Sequence, residues 1–143
     1  MTNYINDITN EVVKGILSYF KEELPEELNN LSLIDCKSYS LNTFESNDDN
    51  DLPAMAIASG EVHHGVSEQE NKIYIDIILP NSENKNIYLY QKALVKTLTK
   101  DHHLGGVVID CKDITVEPIP FSAKSKGKPV VLMDFTTEAS REG

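Results

Sequence analysis

Apolar side chains recur every three or four positions in two stretches of the chain, which predicts two amphipathic helices. The first helix is predicted over residues 5–20 and the second over residues 84–100. Asn3 or Asn6 is the expected cap of the first helix, and Pro25 is expected either to end it or to open a short second turn. The apolar positions of the first helix are Ile5, Ile8, Val12, Ile16 and Phe20.

Alternation of apolar and polar side chains predicts five strands. The clearest is residues 72–79, where isoleucines alternate with polar residues until Pro80. Within residues 107–119 the apolar positions change from odd to even numbers. Because alternation has a period of two, this change predicts a bulge or bend near residues 112–113. The predicted strands are residues 37–43, 54–62, 72–79, 107–119 and 129–136.

The order helix, strand, strand, strand, helix, strand, strand predicts a single α+β domain over residues 1–143. Its sheet is expected to be mostly antiparallel, with two helices packed on one face. A doubly wound parallel sheet would need regular alternation of strands and helices. Residues 61–71 are polar, although a hairpin could extend through them. Residues 114–135 are predicted to form a hairpin with a long tip and an edge strand, and residues 137–143 a flexible tail.

The formal charge of −10 narrows the possible partners of this chain. Nucleic acids and anionic membrane surfaces both attract basic faces, so neither is an expected partner. The acidic clusters at residues 21–27 and 45–51 are expected to be solvated surface. No membrane-spanning stretch and no secretion signal are recognisable in the sequence. Cys36 and Cys111 are therefore expected to be reduced and packed in or near strands.

Candidate chemistry is sparse in this sequence. The pairs His63-His64 and His102-His103 are adjacent, and neighbours on a strand point to opposite faces, so one pair does not easily hold one metal. The run 47–51 lacks the glycine and glutamate of a calcium loop. Phosphate-binding and nucleophile-elbow motifs are absent from the sequence. We therefore predict no enzyme activity, metal or cofactor, and keep a metal- or small-molecule-binding domain as an alternative.

Two charged loops are the predicted interaction sites. The turn over residues 121–128 is basic, whereas the chain as a whole is acidic. Opposite charges on one molecule favour head-to-tail contacts between subunits, which can close into rings. The predicted subunit, tube or neck interface residues are Lys124, Lys126, Lys128, Asp48, Asp49 and Asp51.

The segment Leu52–Ile57, a polar turn and the segment Ile73–Pro80 resemble the central hairpin of the tail terminator proteins of long-tailed bacteriophages. The order of elements extends this resemblance over most of the chain. It includes the leading amphipathic helix, the acidic loop, the second helix and the closing hairpin.

This resemblance implies a structural virion protein without catalytic residues. Such a protein forms a homohexameric ring that caps the tail tube, ends its polymerisation and presents a surface for the head and neck. The implied partners are the tail tube protein, the sheath and the head-neck connector protein. The implied location is the tail or neck region of a virion, or a phage-tail-like particle, after assembly in the bacterial host cytoplasm. A head-closure or tail-completion protein of the neck is the alternative.

Overall fold

A computed structural model describes residues 5–44, 48–120 and 127–141 of the chain. The elements of the described chain are α1 (Thr9–Asn30), β1 (Ser38–Leu41), β2 (Ala54–His64), β3 (Glu68–Ile78), α2 (Ile87–Thr99), β4 (Asp110–Ile119) and β5 (Val130–Ser140). The five strands form one sheet in the order β1-β2-β3-β5-β4. The β1–β2 pair is parallel and the other three pairs are antiparallel, which confirms the predicted α+β fold. Short 3-10 helices occupy Asp49–Asp51 and Asn81–Asn86.

Both helices share one core with the same face of the sheet. Side chains alternate along a strand, so the odd-numbered residues of β3, of β5 and of β2 up to its register shift after Ser59 point to a common face. Their apolar side chains are buried in one cluster with the apolar sides of α1 and α2, as the sequence predicts. The strand residues of this cluster are Met55, Ile57, Ile73, Ile75, Ile77, Val131, Met133, Phe135 and Ala139.

Helix α1 begins later than expected, at Thr9. The expectation that Asn6 caps it is wrong, and Asn3 lies outside the described residues. The N–H of Thr9 instead donates to the Asp7 carboxylate at 2.7 Å, and the N–H of the preceding residue donates to the Gln69 side chain at 3.0 Å. The first turn is thus anchored partly by β3, which is distant in sequence.

Helix α1 also continues through Pro25 to Asn30, so the expected end at the proline is wrong. A proline inside a helix removes a hydrogen bond and costs about 3 kcal/mol. Leu24 and Leu28 extend the apolar stripe beyond the proline and are fully buried, which offsets this cost. Neither of the described helices has the length and apolar character needed to cross a membrane.

Most of the polar stretch 61–71 is strand rather than loop. Strand β2 continues to His64 and β3 begins at Glu68, so the possible hairpin extension is confirmed. Gln69 and Asn71 continue the odd-numbered alternation of β3 and are buried. Near the turn of the β2–β3 hairpin, the sheet face that points toward the helices is therefore polar.

The closing hairpin has the predicted bulge. Strand β4 forms one edge of the sheet, and its register with β5 shifts between Lys112 and Thr115. Asp113 lies there with a φ of 57°, a left-handed conformation that short polar residues tolerate better than most. The extra residue explains how apolar positions on both sides of the bulge reach the same strand face.

Strand β5 is longer than expected. It continues to Ser140, so the prediction of a flexible tail is wrong for residues 137–140. Thr137 and Ala139 are buried because β3 pairs with this stretch of β5. Residues 142–143 of the predicted tail lie outside the described residues.

An ion pair with a buried carboxylate joins α1 to the C-terminal end of α2. Glu27 belongs to an acidic cluster that was expected to be solvated, but its side chain is buried. Its carboxylate accepts a hydrogen bond from the Lys100 ammonium at 2.8 Å, and the Lys96 ammonium lies 3.6 Å away. The hydrogen bond from Lys100 holds the pKa of Glu27 below its usual value. The expectation of a solvated surface is therefore wrong at this position.

Glu27→Gln is expected to lower the free energy of unfolding by about 1–3 kcal/mol near neutral pH, because it leaves the lysines without a buried counter-charge. The pKa of Glu27 is depressed in the folded state, so this stabilisation is present above the ordinary value of 4.5 and is lost as the pH falls through the folded pKa. Urea unfolding at several pH values measures the difference, which should shrink below about pH 4.5. Glu26→Gln, an exposed neighbour, is the control. An equal loss in both variants would contradict the assignment.

Candidate functional site

The acidic loop between β1 and β2 packs on the sheet face opposite the helices. Leu52, at the end of this loop, is buried against Ala54, Ile78 and Val130, and Phe44 packs against the same cluster. Phe44 and Leu52, which lie on either side of residues 45–51, are therefore packed against the sheet, and Asp49–Asp51 is a short 3-10 helix directly before Leu52.

Two of the predicted interface residues meet within one chain. The Lys128 ammonium donates to the Asp49 carboxylate, across 79 positions of sequence. Beside them the Lys37 ammonium donates to the carbonyl oxygen of Asn50 at 2.7 Å. We call these four residues the loop clasp. Charges that were expected to contact neighbouring subunits thus also join the acidic loop to the segment before β5.

The other predicted interface residues are placed differently. Asp48 and Asp51 flank the clasp and are exposed. Lys124 and Lys126 lie outside the described residues. The Asp49 side chain keeps 55% of its surface exposed, whereas Lys128 keeps 18%. The acidic side of the clasp therefore faces solvent, where a partner can reach it.

We expect a weak, salt-dependent coupling between Asp49 and Lys128. A double-mutant cycle with Asp49→Asn and Lys128→Met should give about 0.2–1 kcal/mol in unfolding experiments at low salt, and less at about 1 M salt. Asp51→Asn provides the matched control, with a smaller coupling to Lys128. A coupling that is insensitive to salt would argue against an electrostatic clasp.

A second group of ionisable residues lies at the turn between β2 and β3. The Nε2 atom of His64 is 3.1 Å from the Asp7 carboxylate, and the Arg141 guanidinium is 2.8 Å from Nδ1. Because arginine can only donate, Nδ1 of His64 accepts and its Nε2–H donates to Asp7. Arg141 also donates to the carbonyl oxygens of Gly65 and Val66. His64 therefore forms part of a bridge between the chain's first described residues, the hairpin turn and the end of β5.

The remaining histidines and cysteines are spread over separate places. His63 lies 2.8 Å from Glu61 on the surface, and the rings of His102 and His103 are 4.0 Å apart in the loop before β4. Over the described ranges, no group of three or more His, Cys, Asp or Glu residues is placed to hold a metal ion.

Both cysteines are free thiols next to or within strands, as expected. Cys36 is buried just before β1, and Cys111 is partly buried in β4. Burial raises the pKa of each thiol to about 12. Since the thiolate is the reactive form, both are poor nucleophiles at neutral pH.

Sequence reasoning missed a cluster of buried amides, which we call the polar cluster and define as Thr9, Ser59, Gln69 and Asn71. The Asn71 amide donates to the hydroxyl oxygens of Thr9 and Ser59, at 3.1 Å each. Gln69 donates to the Asn71 side-chain oxygen at 2.7 Å. The cluster fixes the start of α1 on the central hairpin. Its only signal in the sequence is that residues 69 and 71 continue the odd-numbered alternation of β3.

No protein-family model matches this chain, and no curated protein matches its sequence. The resemblance carried by Leu52–Ile57 and Ile73–Pro80 therefore stays a prediction.

Proposed function

We propose that this chain is a structural subunit of a tail terminator ring. Six copies close into a ring on the end of a tail tube, stop its polymerisation and present a surface to the head-neck connector. The proposal is carried by the β2–β3 hairpin, because its segments Leu52–Ile57 and Ile73–Pro80 carry the family resemblance.

The shape of this hairpin supports a role in assembly. Its strands are 11 residues long each, and β3 pairs along its whole length with β5. On the face opposite the helices, the part left open by the acidic loop carries Ala58, Gly60 and the half-exposed Tyr74. A methyl group at Gly60 would lie 2.7 Å from the Tyr74 ring, so the ring lies directly over the glycine. Because Ala58 and Gly60 carry a methyl group and no side chain, respectively, another subunit can approach the backbone closely beside the Tyr74 ring.

Tail length in the absence of the protein tests the proposal. Particles from cells with an early stop codon in this reading frame should carry tails that are longer than normal and variable in length, as seen by electron microscopy. Expression of the intact chain from a plasmid should restore the normal length. The same plasmid with the stop codon is the control.

Other outcomes of this experiment point elsewhere. Tails of normal length that are not attached to heads would identify a head-closure or tail-completion protein and contradict the terminator role. Complete particles with normal tails would contradict both roles.

A further inference from the structure

The solvent-facing side of α2 combines apolar and basic side chains. We define the α2 stripe as Tyr88, Gln91, Lys92, Val95, Lys96 and Thr99, which share one side of the helix. Tyr88 exposes 68% of its surface, and Val95 is half-buried. Helix α2 contains no acidic residue, although the chain carries 23 acidic and 13 basic residues. The stripe is therefore a basic, partly apolar surface on an acidic protein.

A second exposed surface has the opposite charge. We define the β4 edge as Ile109, Asp110, Asp113, Ile114 and Glu117, all of which are exposed. The two isoleucines expose 44% and 40% of their surface. Lys112, which lies between them, is paired with Glu70 at 2.7 Å. In the described part of the chain, β4 has a partner strand only on its β5 side.

We propose that the α2 stripe of one subunit docks on the β4 edge of the next. The register with β5 puts Asp110 and Glu117 on the sheet face opposite the helices, whereas alternation along the strand puts Ile109 and Ile114 on the helix side. A helix that lies along the open edge of β4 can contact both rows, the isoleucines with Tyr88 and Val95 and the carboxylates with its lysines. The stripe spans about 17 Å at 1.5 Å per residue. The β4 strand extends over about 33 Å, which accommodates that length. Contacts between two different surfaces of one chain are head-to-tail, and such contacts form a ring when the rotation from one subunit to the next closes on itself.

A second copy fits this stripe better than a polyanion does. Lysines and a tyrosine would suit nucleic acid, but a chain with a charge of −10 repels the phosphates around the contact. The acidic β4 edge is present at the same concentration as the stripe on every subunit. The inference rests on the proposed ring, since it names the two surfaces that build it.

Charge reversal tests the inference on the purified full-length chain. One variant carries Lys85→Glu and Lys92→Glu, where Lys85 lies one turn before Tyr88. The other carries Asp110→Lys and Glu117→Lys. Sedimentation velocity at low salt should show self-association of the wild type, weakened about tenfold or more in each variant alone. An equimolar mixture should associate again. When the two variants alternate around an even-numbered ring, the acidic stripe of one meets the basic edge of the other, and the basic stripe of the second meets the acidic edge of the first.

Lys96 and Asp113 stay unchanged in this design because each has a structural role. Lys96 lies 3.6 Å from the buried Glu27 carboxylate, and Asp113 has a φ of 57° that suits short polar side chains. Circular dichroism and thermal unfolding verify that each variant is folded. The matched controls are Lys14→Glu with Lys21→Glu and Glu22→Lys with Glu26→Lys, which make the same charge changes at exposed positions of α1.

The result that supports the inference is loss in both variants, recovery in the mixture and unchanged association in both controls. An equal loss of self-association in the controls would mean that net charge alone weakens the association, and would overturn the inference. A loss of self-association only when the stripe is reversed would mean that the stripe binds a surface other than the β4 edge, and would also overturn the inference. A wild type that stays monomeric at high concentration overturns this contact, while the tail-length experiment still decides the proposed function by itself.

Discussion

Phe20→Ala is expected to lower the free energy of unfolding by about 3–5 kcal/mol, the largest single effect that we predict. Phe20 lies in the middle of α1 and is fully buried in the core between the helices and the sheet. Its ring meets the Tyr19 ring edge-on, with the centroids 5.6 Å apart. Truncation removes both the apolar transfer energy and the packing around the cavity that remains. Chemical unfolding followed by circular dichroism measures the loss.

Tyr88→Ala is the control for this effect, because it removes an aromatic ring that is largely exposed on the other helix. Its effect on stability should stay within about 0.5 kcal/mol. A similar loss of unfolding free energy in both variants would contradict the position of the core around Phe20.

Asn71→Leu is expected to destabilise the protein by about 2–4 kcal/mol, although it preserves side-chain size and adds apolar surface to a buried site. The Asn71 amide satisfies the hydroxyl groups of Thr9 and Ser59 and accepts a hydrogen bond from Gln69. An apolar side chain leaves the buried Gln69 amide and the partly buried hydroxyl groups without these partners. Hydrogen exchange should in addition show faster exchange at the first turn of α1, which the polar cluster anchors.

Asn10→Leu makes the same chemical change at an exposed position of the first turn of α1. It should leave both stability and hydrogen exchange nearly unchanged. A neutral or stabilising Asn71→Leu variant would show that the polar cluster contributes little, and that apolar side chains alone hold the central hairpin.

The sequence predicts the elements whose burial follows from local periodicity. Ile73, Ile75 and Ile77 alternate with polar residues, so strand β3 and its inward face could be predicted without knowledge of any partner. The bulge near Asp113 could be predicted for the same reason, because a change of phase within one strand requires an extra residue.

Features that depend on distant partners could not be predicted in this way. Gln69 and Asn71 look like loop residues until Thr9, about sixty positions away, supplies their hydrogen-bond partner. Glu27 looks like a surface residue until Lys100, 73 positions away, lies against it. Local periodicity contains no information about these contacts.

The candidate site was predicted only in part. The sequence singles out opposite charges in the two loops, but not that Asp49 and Lys128 are neighbours within one subunit. These two residues are 79 positions apart in the sequence. They meet because the register of β5 beside β3 brings the segment before β5 next to the acidic loop. The α2 stripe and the β4 edge were not predicted as interaction surfaces, because exposure on a helix or on an edge strand is known only once the sheet order is known.

Cryo-electron microscopy of tails isolated from producing cells, at the end that joins the head, is the decisive experiment for the proposed ring. We expect six copies of this chain in a closed ring around the tube axis, with the helix–sheet domain fitting each copy. Tail ends that lack this chain, or that carry it in an arrangement that does not close around the tube, would contradict it.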